Sequence, residues 1–166
     1  MLDRAIAALE AVVEVCGRLA AWVCVVLVLV VAGNVFARYF FRTGTIWLQE
    51  LEWHLISPIA LLGMAYALKH GEQVRVDVFF DRMPRLGQRV VEVVTGVLTL
   101  AFALIMLQLS LPFVMQAWNT GEGSPNPGGI PYRFVLKGFI PLGFALLAMQ
   151  GLAHTIKHLI AHPRPG

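Results

Sequence analysis

Apolar residues dominate four stretches of the chain, at about 19–41, 46–68, 89–111 and 134–154, and polar residues gather at their ends. A bilayer core about 30 Å thick takes roughly 20 apolar residues per helix, so each stretch is long enough to span one. Ahead of the first, Leu2, Ile6, Leu9 and Val13 recur at helical spacing opposite Glu10, Glu14 and Arg18, which predicts one long helix whose first turns stand out of the bilayer. Pro84 is placed as the first residue of the third helix, and Pro141 predicts a mild kink in the outer third of the fourth.

The connections carry different patterns. Between spans 2 and 3, Val74, Val76 and Val78 alternate with polar residues as in a strand, while Val76, Phe79, Phe80 and Met83 fit a helical stripe. A strand edge open to lipid is not viable, so the expectation is a short cytoplasmic amphipathic helix in the interface, with Arg75, Arg82 and Arg85 toward lipid headgroups. Between spans 3 and 4, the sequence NTGEGSPNPGGIPYR is dense in Gly and Pro and predicts an ordered turn structure. It holds no metal or nucleotide motif.

Composition sharpens this picture. Of 166 residues, 58% are hydrophobic and 14% charged, with a mean hydropathy of +0.72, against roughly 25% charged in soluble domains. The fold class is therefore an all-α membrane protein with four transmembrane helices in a single domain over residues 1–166, with no room for a soluble catalytic domain. The net charge of +3 points to headgroups as partners and excludes nucleic acid. Nine Lys and Arg fall on one side of the membrane and four (Arg38, Arg42, Arg133 and Lys137) on the other, which predicts both termini cytoplasmic. Cys16 and Cys24 are eight residues apart on one helix, about 12 Å along its axis and beyond disulfide reach. Acidic Asp3, Glu10 and Glu14 in the leader and an overlong apolar run predict an N-terminus that is retained rather than cleaved.

Charge inside a span costs most at its centre. Arg38, Glu92 and Lys157 lie near span ends, where snorkelling suffices. Glu50, Glu52 and His54 lie one to two turns inside span 2. Glu50 and His54 share a helix face, whereas Glu52 points nearly the opposite way, so the two acids do not form a converging catalytic pair. Three readings remain open: acids at headgroup depth within an aromatic belt of Trp47 and Trp53, acids that meet partners on another helix or subunit, and an ion relay. Ile56, Ala60, Gly63 and Ala67 form a small-residue stripe suited to close helix packing. Haem between paired histidines is disfavoured, because His54 is at the outer end while His154 and His158 share one helix near the other. No residue reads as a nucleophile with a base, so no enzyme is expected.

The runs WLQELEWHL, LLGMAYALKHGEQVRVDVFFDRMP and NPGGIPYRFVLKGFIPLGFALL resemble the small four-helix membrane subunit of tripartite ATP-independent periplasmic (TRAP) transporters, over about residues 19–152. The matching features are Trp47 with Glu50 and Glu52, Gly63, the loop from Val74 to Asp77, and the Gly-Gly-x-Pro turn at Gly128. Gln73 stands where family members commonly carry His, so no pH-sensing role is expected of that loop.

The resemblance implies a multi-pass bacterial inner-membrane scaffold without cofactor or metal of its own. A large membrane subunit would carry the substrate and sodium sites, and a periplasmic solute-binding protein would deliver an organic acid. Subunit-interface candidates are then Trp47, Glu50, Glu52, Trp53, His54 and Gly63, and docking candidates for the binding protein are Arg133 and Lys137. The rivals are a haem-bearing membrane anchor of a quinone-linked redox enzyme and a small homodimeric exporter.

Overall fold

A computed structural model describes residues 2–42, 44–72, 80 and 82–160. Among the described residues it contains four long helices and no strand: α1 (Leu2–Phe41), α2 (Ile46–His70), α3 (Arg85–Asn119) and α4 (Arg133–Ile160). All four are long and apolar enough to cross a membrane. The segment expected to form the amphipathic interfacial helix, with Arg75, lies mostly outside the described residues.

Two helices outrun their predicted spans. α3 continues through Pro112 to Asn119, and α4 continues through Pro141 to Ile160. α1, with 40 residues, is roughly 60 Å long, twice the hydrocarbon thickness. α3 starts after Pro84, which occupies the N-cap in an extended conformation rather than the first helical position. α2 stops at Gly71 (φ 73°), a left-handed residue that lets Gly71 and Glu72 donate their N–H groups to Leu68 and Ala67; Gly adopts this conformation without a Cβ clash.

The bundle is organised around α4, which packs on all three other helices, while α1 packs on α2 and α3 chiefly on α4. One core cluster, Val13, Ala20, Leu62, Ala65 and Leu146, joins α1, α2 and α4; the other, Leu68, Ala103, Phe144, Leu147 and Ala148, joins α2, α3 and α4. In lipid no hydrophobic force pulls helices together, so close approach through small residues matters more than in water. Gly143 admits Leu61, whose Cβ would stand 2.8 Å from an added methyl. Gly151 packs under the backbone of Leu100. The expected small-residue stripe on α2 lies elsewhere: Ile56 and Ala60 are exposed, and Gly63 has no neighbour within 4 Å of an added methyl.

Burial is uneven. Of the most apolar 18 residues of α4, 39% are buried, against 11% in both α1 and α3. The uncovered surface includes Trp22, Leu29 and Phe36 on α1, and Leu98, Ile105 and Leu109 on α3.

Candidate functional site

Polar side chains concentrate at the two ends of the bundle. At one end Glu50, on the second turn of α2, is 5% exposed and turned onto the loop between α3 and α4. Its carboxylate accepts hydrogen bonds from the Ser124 hydroxyl, from Asn126 Nδ2 at 3.0 Å and from the Ile130 backbone N–H at 2.7 Å. The loop is built to present these donors. Asn126 N–H bonds to Ser124 Oγ, Gly129 N–H to the Asn126 carbonyl, and Arg133 N–H to the Glu122 carbonyl. A methyl group at Gly129 would collide with Ser124 and stand 2.6 Å from Glu50 Oε2, so glycine is what lets the loop close on the acid. Hydrogen bonds to an ionised carboxylate are roughly twice as strong as neutral ones, and these three clasp the loop to α2.

The remaining candidates at this end have separate roles. Glu52 leaves the loop and accepts from Asn34 Nδ2 of α1 at 2.8 Å, as expected for a side chain on the other helix face. Glu50 and Glu52 nevertheless both border a cavity of about 180 Å³ with Gln49, Trp53 and Asn126. His54 donates its Nδ1–H to the Glu50 carbonyl at 2.6 Å, while its Nε2 is buried without a partner. Trp47 and Trp53 are 47% and 70% exposed and face outward. Lys137 pairs with Glu122 and lies 3.9 Å over the Phe113 ring. Arg133 opens α4 with its Nε buried and unpartnered.

At the opposite end the pairing is ionic and runs between helices. Glu14 of α1 meets Lys69 at 2.6 Å and His70 at 3.1 Å from α2, and Arg18 at 3.0 Å from its own helix. Glu10 meets Lys157 of α4, and its carbonyl accepts from Lys69. Glu92 of α3 meets His154 of α4 at 2.9 Å. Arg89 donates to the carbonyls of His158 and Leu159, capping the last turn of α4, where orphan carbonyls favour a cation. Glu92 and Lys157 thus do not merely snorkel; helix crossings supply partners within reach. Arg82 and Arg85 are exposed at this end.

The residues that sequence reasoning missed are the partners. Ser124 and Asn126 lie 74 and 76 residues from Glu50, and nothing local to Glu50 names them. A signal was present in Ser124-Pro-Asn126, a turn that leaves its hydroxyl and amide free to donate outward.

The family model for tripartite ATP-independent periplasmic transporters, DctQ component, matches residues 27–161. The ectoine TRAP transporter small permease protein TeaB of Halomonas elongata is 28% identical over 158 residues, covering 95% of this chain and 78% of that protein. The C4-dicarboxylate TRAP transporter small permease protein DctQ of Vibrio cholerae is 24% identical over 76% of this chain and 63% of its own length. The isethionate TRAP transporter permease protein DctMQ of Oleidesulfovibrio alaskensis is 28% identical over 69% of this chain, a likeness that spans only 18% of that longer protein.

Proposed function

This chain belongs to the DctQ component family of tripartite ATP-independent periplasmic transporters, and on that premise we propose that it is the fixed scaffold on which a large transport subunit is held. It is a transmembrane small permease subunit of the bacterial inner membrane, crossing it several times. The observation that carries the scaffold reading is the contrast in burial: only 11% of the most apolar 18 residues of α1 and of α3 are buried within the chain, leaving exposed apolar faces on both for a second membrane protein. The long DctMQ relative, in which a unit like this one is a minor part of one permease chain, supports that pairing.

Both termini are cytoplasmic in this reading, supported by the nine-to-four Lys and Arg bias, so the clasped loop is periplasmic. There it forms, with Arg133 and Lys137, a rigid surface for a solute-binding protein. Lys137 is partly neutralised by Glu122, so Arg133 is the stronger contact of the two. Trp47, Trp53 and Gly63 face the large subunit, whereas Glu50 acts indirectly by holding the loop and Glu52 by holding α1. Arg75, Arg82 and Arg85 meet lipid headgroups on the cytoplasmic side. Transport is driven by sodium bound on the large subunit, and the solute is an organic acid, in keeping with relatives named for ectoine, isethionate and C4-dicarboxylates.

The deciding experiment is affinity purification of the full chain from mildly solubilised membranes. A much larger multi-pass protein is expected to co-purify in fixed proportion. Solute transport by the chain alone in liposomes, or a Soret band in the purified protein, would refute the scaffold role and favour the exporter or the haem anchor respectively.

A further inference from the structure

At the ion-paired end of the bundle, Glu92, His154 and His158 converge, with one ligand atom from each lying within 4.8 Å of the others. The geometry points to a binding site for a divalent cation of the zinc class between α3 and α4, distinct from anything the transporter role requires and contrary to the expectation of no metal.

Three observations lead there. His154 and His158 are four residues apart on α4, with ring centroids 4.5 Å apart, the spacing that puts two imidazoles on one helix face for a shared metal. Glu92 comes from the neighbouring helix and already holds His154 Nε2 at 2.9 Å from its Oε2. The second helix therefore supplies an anionic oxygen where the first supplies two nitrogens. Two imidazoles and one carboxylate suit zinc, with bonds near 2.0–2.2 Å, better than calcium or magnesium, which want oxygen alone.

The third observation is independent of the cluster. Gln150, one turn before His154, is 2% exposed, and its Oε1 has no hydrogen-bond partner. It lines a cavity of about 250 Å³ together with Glu92, His154 and His158. A buried amide oxygen without a donor is costly. A water held in the fourth position of a three-ligand zinc site is a donor of the right kind.

The surrounding charges are mixed: Lys69, Lys157 and Glu10 also border the cavity, and Lys157 is paired with Glu10. Metal binding replaces the direct contact between His154 and Glu92 and draws His158 inward. It cross-links α3 to α4 through coordinate bonds at the end of the bundle away from the loop clasp. Close packing beside it is set by Gly96 and Gly151, so the helices meet without needing to move.

The test uses the full chain, with any purification tag removed, stripped with chelator and titrated with Co²⁺ and then Zn²⁺ in detergent near neutral pH. The expected result is a single equivalent bound per chain, with the visible absorption of four-coordinate Co²⁺ and a Zn²⁺-dependent rise in melting temperature. Glu92→Gln and His158→Gln, which keep hydrogen-bonding capacity, should each weaken binding by at least roughly tenfold to a hundredfold, the range that even an outer-shell partner commands. His54→Gln should leave it unchanged. Metal-free melting temperatures close to wild type for the Gln variants show that they fold. No Co²⁺ absorption, or binding that persists undiminished in the His154→Gln/His158→Gln double variant, overturns the site. Either result leaves the transporter assignment standing.

Discussion

The two ends of the bundle solve the same problem, polar groups at the edge of an apolar helix bundle, in opposite ways. At the clasp, one carboxylate takes three donors from a loop, and two of those donors are uncharged side chains. At the other end, three acids from two helices are shared among lysine, arginine and histidine partners. A hub fails all at once, because losing its centre takes the shared acceptor from all three donors together. A distributed set fails gradually, since the more exposed pairs, such as Glu14 with Arg18 and Glu10 with Lys157, are worth little each and the others remain when one is lost. The comparison teaches that the loop's attachment to α2 rests on one residue, Glu50, whereas the helix ends share their pairs among several.

The largest expected effect is therefore that of Glu50→Ala. The melting temperature of the purified protein should fall by on the order of 10 °C, and protease should newly cleave within residues 120–132. A loop that stays protected would break the hub reading. Next is Gly129→Ala, whose added methyl presses on Ser124 and Glu50. Overpacking of this kind costs about 1–3 kcal/mol, and a thermal melt equal to wild type would show that the loop has slack.

A smaller loss, about 1 kcal/mol, is expected for Asn34→Ala, which removes the donor to Glu52 without touching the clasp; loop proteolysis should not change. Lys69→Met should have the smallest effect, because Glu14 keeps Arg18 and His70. Its loss of stability should shrink further at about 1 M salt, where the screening length is about 3 Å. A deficit that exceeds that of Asn34→Ala would mean the ionic end is a hub as well.

The four spans were legible because hydropathy is local: every residue needed to recognise Ile46–His70 as a helix lies within it. Their ends were less so. Trp118 and Phe134 pack edge to face at 4.5 Å across the loop, a contact between two helices that the hydropathy of neither one reveals. The opposed faces of Glu50 and Glu52 followed from helix geometry alone, and the two acids do take different partners. Which partners they take is tertiary information. The same holds for Glu92 and Lys157, whose apparent freedom at span ends was an artefact of viewing each helix in isolation.

The central place of α4 bears on how the protein is made. Synthesis delivers α1 and α2 first, and these can pair as a hairpin through the four residues that separate them. α3 follows, but its main partner does not yet exist. Only when α4 has been made can α3 pack against its main partner and Lys157 reach Glu10. Completion of the bundle therefore waits on the synthesis of α4, and until then α3 stands in the bilayer without its main packing partner.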